Sequence, residues 1–547
     1  MNRRNFFTLG GTSSTTQETV AGQMFSGSQT QPQFATRTTA GLEPYMPSAS
    51  NPWDYSKAAH LVRRCVVGAK DSEIRKALSD GLDATITQLL TPFTPSLDDI
   101  KSWAGQDPNV RPPNGDNQSP EFPTWQNTKF AHRDQLVKWW LKTIATSPMS
   151  IQERLIMMWH NHFANEINVV DFAEFMLTQN QLFRKYIFGD FKQMVKDITK
   201  DPSMLIYLDG IKNYKSGNRS QINENYAREL MELFTCGVSD WNNTPNYTET
   251  DVAEGARALS GWVITPSPKG SYYLGLSGSF AQSRWDAGSK TFMGKTGIWK
   301  ADDIVDIIFT ERADQVAKFV CTKIYRALVY DIPDPVIVSA MADTFRANNW
   351  SLKPVLDQLI RSAHFFDATN IGAMEKSPID FMVGAIRTLG LTDIPDFDVM
   401  KTGRMSNDLS QRLATIGQVP LGPPNVKGWP GGRTWVSTST LPVRQKFMLD
   451  VMDAKIMLQN VKYYKFDALT FAKSFPSPND ATKLAQEISN ALLNVPPSEK
   501  EAAALLEALL QGAKTYEWNI NDPAFQAEKH IRNLIKAIVQ LAKHELY

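Results

Sequence analysis

Ser150-Ile151-Gln152-Glu153-Arg154-Leu155-Ile156-Met157-Met158-Trp159-His160-Asn161-His162-Phe163 carries both the pattern and the start signal of an α-helix. Leu155, Ile156, Trp159 and Phe163 fall at three- and four-residue spacing, the period of a helical face, where a half-buried strand would alternate. Ser150 followed three residues later by Glu153 is a capping box, in which hydroxyl and carboxylate each satisfy a backbone N–H left free at a helix start. The helix therefore runs from Gln152. With the apolar residues turned inward, His162 lies beside Leu155 and Ile151, and His160 lies at the border of the stripe near Glu153 and Met157.

The same period extends in both directions. Asp54 to Val66, Asp71 to Leu90 and a long block over 128–200, punctuated at Ser147-Pro148, all read as helix. Ser498 to Glu501, after Pro496-Pro497, is a second capping box. Only 262–298 differs: Gly, Ser, Tyr, Phe and Trp mix there without a helical period, and one or two short hairpins fit. Loops are read at Gly105 to Pro123 and 419–435, and a linker near 475–480. Residues 10–50 are Ser, Thr, Gln and Gly with too few apolar groups to offset the entropy of ordering. The expectation is a mainly α, large multi-helical single domain with a small β-hairpin insertion. Its parts are a disordered tether over 1–50, a helical core over 51–460 with the insertion at about 262–298, and a helical extension over 461–547 packed on the core.

Composition narrows the function classes. Over 547 residues, 58 Lys and Arg oppose 57 Asp and Glu, so the net charge of +1 supplies no field for a general polyanion binder. Cys65, Cys236 and Cys321 are too few and too scattered for a disulfide framework and read as buried small hydrophobes. No apolar run reaches the roughly 18 residues of a spanning helix. Gly-x-Gly-x-x-Gly, P-loop, Gly-x-Ser-x-Gly and His-Glu-x-x-His patterns are missing, which argues against dinucleotide enzymes, common NTPases, α/β-hydrolases and zincin proteases. The start, Met1-Asn2-Arg3-Arg4-Asn5-Phe6-Phe7, has the look of a twin-arginine export signal, although its apolar segment stops at Leu9. Export to the periplasm or cell envelope is expected; a plain basic N-terminus on a cytoplasmic protein is the alternative.

Several blocks in series carry a resemblance. They are Ala58-Ala59-His60-Leu61-Val62-Arg63-Arg64, Trp159-His160-Asn161-His162-Phe163, Tyr207-Leu208-Asp209 with Asn213, and Asn223 through Thr235. Tyr247-Thr248 then leads to Ala256 through Trp262, and Pro423-Pro424-Asn425-Val426-Lys427-Gly428-Trp429-Pro430-Gly431-Gly432 precedes Trp435. The series spans about 55–450 and resembles a large bacterial family known as domain of unknown function 1800. The resemblance implies bacterial origin, frequent twin-arginine-type N-termini and frequent genetic pairing with an exported family numbered 1501, a candidate partner. It implies no reaction. One departure is that Arg284-Trp285-Asp286 stands where the family pattern leads one to expect a His-Asp pair.

Two constellations carry chemistry. His160 and His162 form a His-x-His pair, which holds a divalent transition metal when both rings leave one side of the chain. On a helix they diverge by about 200°, so the plain reading is one buried hydrogen-bonded His and one boundary His. The sharper reading adds a carboxylate from another helix. Glu224 to Phe234 supplies one: Tyr226, Ala227, Leu230, Met231, Leu233 and Phe234 fill one face, while Glu224, Arg228 and Glu232 form a ladder on the other with Asn225 and Glu229 alongside. In that reading His160, His162 and Glu229 hold the metal, Glu229, Glu232 and His160 do acid/base work, and Arg228 keeps a carboxylate ionised. The alternative is an ordinary surface charge ladder. Asn225, Lys427, Trp429 and Trp435 are candidate substrate contacts, with the 420–435 loop either stacking on a sugar or simply latching the helices. Asp251, Glu254 and Arg257, behind the cap residue Thr248, read as a surface or interhelix pair.

Two functions compete. One is an envelope hydrolase, metal-dependent or acid/base, acting on an extracellular polymer such as polysaccharide; the other is a non-catalytic scaffold for an exported partner.

Overall fold

The computed structural model describes residues 35–36, 38–108, 122–217, 219–266, 273–391, 409–453, 457–458, 462–463 and 466–547. The twin-arginine-like start and most of the expected tether lie outside the described residues. The chain is mainly α-helical. Where the sequence carries a helix-start signal, the helix generally begins there. Asp54 accepts from the Lys57 N–H at 3.0 Å to open Tyr55–Cys65, and Thr248 with Asp251 forms a capping box for Glu249–Ala258. Ser498 and Glu501 do the same for Glu499–Leu510. The run from Asp71 to Leu90 divides into Asp71–Asp80 and Leu82–Leu89, because Gly81 sits at φ +84°, outside the helical region.

The helix Gln152–His162 departs from its sequence reading in two ways. Its Ser150 capping box is not made: the Ser150 hydroxyl donates to the carbonyls of Leu89 and Thr91, and the Glu153 carboxylate takes the Arg184 guanidinium at 3.0 Å and the Trp140 indole at 3.2 Å. A buried carboxylate with a buried guanidinium beside it is held there in preference to a helix end. The helix is also buried on nearly every side, with only Met158 and Asn161 partly exposed. His160 is consequently interior, not at a border.

Four two-stranded antiparallel pairs occur among the described residues. Trp262–Pro266 with Tyr273–Phe280, and Lys290–Phe292 with Lys295–Gly297, fall in the segment read as hairpins. Tyr214–Ser216 with Arg219–Gln221, and Met457–Leu458 with Lys462–Tyr463, have no signal in the sequence reading.

One hydrophobic cluster runs from Tyr45 to Val539. Trp139, Trp140 and Trp159 are among its largest fully buried side chains. Each removes about 150–250 Å² from water, about 4–6 kcal/mol of transfer free energy at roughly 25 cal/mol per Å². The C-terminal helices Ala481–Leu492, Glu499–Leu510 and Ala527–Val539 pack on one another, and the last also packs on Thr440–Met452. Beyond them the chain returns inward, where Leu546 pairs antiparallel with Glu375 and the Tyr547 N–H donates to the Met374 carbonyl at 2.9 Å.

Asn225–Glu229 passes into a π-helix over Leu230–Thr235, where the Thr235 hydroxyl donates to the Leu230 carbonyl five residues back at 2.6 Å. The wider turn changes the faces read from an α-period. Leu233, expected in the apolar stripe, is only partly buried, while Glu229, expected alongside the outer ladder, is 4% exposed.

Candidate functional site

Asn161 joins the two parts of the sequence that the site needs. Its side-chain oxygen accepts from the Trp429 backbone N–H at 2.6 Å, across 268 residues. Gly428 makes this approach possible: it sits at φ +84°, and a Cβ there would run into both the side chain and the carbonyl of Asn161. The Trp429 ring then lies 5.6 Å from the His160 ring, whose other neighbour is Trp140 at 5.5 Å, edge to face. Thus the 420–435 loop is latched over the helices, as the structural alternative held.

The latched loop also bounds a cavity of about 890 Å³. Arg154, Asn161 and His162 reach it from the central helix, and Lys323 and Arg326 from the helix Ala313–Leu328. Asp331, Glu375 and Asp380 supply its carboxylates, and Lys427, Trp429, Arg433 and Trp435 its loop side. The Tyr547 ring completes the wall, and its hydroxyl accepts from Arg154 at 3.1 Å.

Two ion pairs line the cavity, one buried and tight, the other long and exposed on its arginine side. Arg154 and Asp380 form a buried pair at 2.7 Å, while Arg433 stands 3.9 Å from Glu375. Asp331 is different. Its carboxyl packs against Gly432, forms no ion pair among the described residues, and is pushed above the usual carboxylate range by burial, with Arg326 and Arg433 opposing. Lys323 likewise has no ion-pair partner among the described residues, and burial and then Arg326 push its ammonium down to about 8. Burial pushes His160 to about 3, and burial followed by the Lys323 charge pushes His162 to about 3, so both imidazoles are neutral near pH 7. His162 Nε2 lies 3.1 Å from the Phe234 carbonyl, which fixes Nε2 as its protonated nitrogen. His160 Nε2 and His162 Nδ1 are buried without a hydrogen-bond partner.

His162, Lys427, Trp429 and Trp435 meet at this cleft; the other expected site residues do not line it. His160 lies behind Trp429. Asn225, Arg228, Glu229 and Glu232 belong to the separate 225–235 segment. Arg228 pairs with Glu249 at 2.7 and 2.8 Å and with Glu224 at 3.4 Å, so the carboxylate it holds ionised is the exposed Glu249. Glu232 accepts from the Tyr247 hydroxyl at 3.4 Å. No group of three or more His, Cys, Asp or Glu side chains is placed to hold a metal ion among the described residues, so the set His160, His162 and Glu229 is not assembled.

Arg257 holds Glu254 on its own helix at 2.8 Å and Asp286 at 3.0 Å, so the expected surface or interhelix pair is instead a tie from this helix to the hairpin segment. All three cysteines are buried. The sequence reading missed Arg154, Lys323, Arg326, Asp331 and Glu375. Arg154 had a usable signal, since it lies seven residues, two turns, before Asn161 on the same helix face. Asp331 follows a long helix in a short stretch ending in two prolines, Asp331-Ile332-Pro333-Asp334-Pro335, which marks a rigid loop but not a cleft.

A family model described as protein of unknown function (DUF1800) matches residues 60–541. No curated protein and no solved structure matches the chain.

Proposed function

The chain belongs to the DUF1800 family, and from that premise we propose that the cleft under the Trp429 loop is the active site of an acid/base hydrolase of the cell envelope acting on a polymer of the polysaccharide class. The observation that carries the reading is Asp331: a carboxyl facing a cavity, without an ion-pair partner, and held toward its protonated form by burial. Burial shifts its proton affinity upward, the direction that general-acid work requires. Glu375, beside Arg433 in the same cleft, is the partner carboxylate. In hydrolysis of a glycosidic bond Asp331 gives its proton to the departing oxygen. Glu375 takes a proton from the attacking water, and the bond from sugar carbon to bridging oxygen is replaced by one to the water oxygen. Trp429, Trp435 and Tyr547 line the cleft but are only 5–7% exposed, so they offer a saccharide ring edges rather than open faces.

Metal-assisted chemistry through His160, His162 and Glu229 has no support from the side-chain geometry, and no step is assigned to it. Export rests on Arg3-Arg4-Asn5-Phe6-Phe7. An exported partner of the family numbered 1501 is part of the same proposal and would dock outside the cleft.

The test is release of reducing ends from a panel of envelope and extracellular polysaccharides by the purified full chain, with Asp331→Asn and Glu375→Gln as controls, alongside fractionation of the native host. Product from the wild type that both variants lose supports the proposal. No product from any polymer, with a well-folded protein, leaves the scaffold reading as the better account; its residues would then act like Arg228, which ties helices together through Glu249.

A further inference from the structure

The cleft does not balance its own charge. Arg154, Lys323, Arg326, Lys427 and Arg433 line it against Asp331, Glu375 and Asp380, five cations to three carboxylates. Arg154 is matched by Asp380 and Arg433 stands beside Glu375. Lys323, Arg326 and Lys427 have no ion pair among the described residues. Lys323 and Arg326 lie one turn apart on the helix Ala313–Leu328 and therefore share a face. Arg326 spends only its Nε, on the Asp331 carbonyl at 3.0 Å.

The groups around Lys323 do not neutralise it. His162, across from it on the central helix, is neutral; Arg326 is cationic; Phe319 offers its ring 5.4 Å from the ammonium. Two partly buried cations facing one cavity repel each other and lose hydration; the Asp331 carboxyl offsets part of this cost at Arg326, and an anion joining both cations recovers more. The downward push on the Lys323 ammonium is the same cost seen in its protonation equilibrium. Lys427, on the exposed side of the loop, places a third cation at the same opening.

We infer that the cleft recognises an oxyanion, held by Lys323 and Arg326 inside and by Lys427 at the loop. Given the polysaccharide reading above, on which this inference rests, the substrate is an acidic saccharide bearing carboxylate, sulfate or phosphate groups. Guanidinium and ammonium groups bind all three through charge-assisted hydrogen bonds, and the pair at positions 323 and 326 spans one such group.

The experiment is calorimetric titration of the full chain at fixed ionic strength with three probes: an oligogalacturonate, a neutral galactose oligomer of equal length, and inorganic phosphate. The same series is run on Lys323→Met, which keeps the side chain's volume, and on Lys427→Ala in the exposed loop, with circular dichroism as the check on folding. The expected result is that the oligogalacturonate binds at least about tenfold tighter than the neutral oligomer, and that this advantage falls about tenfold in the folded Lys323→Met chain, one charged hydrogen bond's worth. If Lys323→Met does not fold, the same loss of advantage in Lys427→Ala is required. Equal binding of the acidic and neutral oligomers overturns the oxyanion inference and leaves the polysaccharide reading standing. Phosphate bound as tightly as the acidic oligomer, with no binding of the neutral one, upholds the oxyanion site and sinks the polysaccharide reading. Failure of all three probes to bind overturns both.

Discussion

The Asn161 side-chain oxygen and the Trp429 backbone N–H are 2.6 Å apart, and this single hydrogen bond ties the central helix to the loop that closes the cleft. Removing the oxygen strands a half-buried N–H, at a cost of about 1–3 kcal/mol. Asn161→Ala is expected to lower stability by that amount in urea unfolding and to open 419–435 to limited proteolysis. Gly428→Ala should do the same or worse, since the new Cβ meets Asn161 and the backbone there is left-handed. Unchanged proteolysis of both variants would show that the loop is held by its tryptophans alone.

Asp331 and Glu375 should separate activity from folding. Loss of a general acid or base costs about 10²–10⁴-fold in rate. On the proposed hydrolase reading, Asp331→Asn and Glu375→Gln are expected to lower kcat by that factor. Asp331→Asn should leave the melting temperature unchanged or slightly raised, because it removes a half-buried carboxyl without an ion-pair partner. Retained kcat in Asp331→Asn removes it as the acid.

The protein should be sensitive to mild acid. His60, His160, His162 and His544 are all held below their ordinary value of 6.5 chiefly by burial, His160 and His162 to about 3. Between 6.5 and about 3 the unfolded chain therefore binds protons that the folded chain does not. Each such histidine withdraws about 1.4 kcal/mol of stability per pH unit as pH falls through that window. Asp201, pushed up to about 7 by burial, has the opposite sign: it stabilises the fold increasingly as pH falls from about 7 toward 3.8. Asp331 adds to that opposition. Four histidines outweigh two carboxyls, so the melting temperature should fall steadily from pH 6.5 to 4 in scanning calorimetry. A flat profile would mean that the histidines titrate while the chain is folded.

Two ion pairs should behave in opposite ways. Glu153 and Arg184 are both nearly buried, and Glu153→Ala leaves a guanidinium inside without its carboxylate, a loss of about 3–5 kcal/mol in denaturant unfolding. Arg228→Ala breaks the pair with the exposed Glu249, and its effect on the unfolding midpoint should be undetectable. A large effect at Arg228 would restore it as more than a surface tie.

The contrast between these pairs explains what the sequence reveals. Periodicity and caps act within a few residues, so the helices at Asp54, Thr248 and Ser498 start where their side chains predict. Ser150-Ile151-Gln152-Glu153 has the same local signal, yet Arg184, 31 residues on, takes the carboxylate. The candidate site follows the same division. His162, Trp429 and Trp435 are legible as chemistry-bearing residues, and they do meet at one cleft. Lys323, Arg326, Asp331 and Glu375 look like ordinary helix and loop charges until the fold withholds a partner from three of them. Glu229 shows the converse, since an α-period puts it beside the outer ladder and the π-turn leaves it inside.

The Arg154–Tyr547 hydrogen bond, spanning 393 residues, has a consequence in time. At about 5–20 residues per second, Tyr547 is synthesised about 20–80 s after Arg154. For that interval the Arg63 and Val66 carbonyls and then Asp380 are the partners available to Arg154, and the Tyr547 part of the cleft wall is missing. A nascent chain that has not yet reached Tyr547 therefore has Arg154 and Asp380 in place but an incomplete cleft wall.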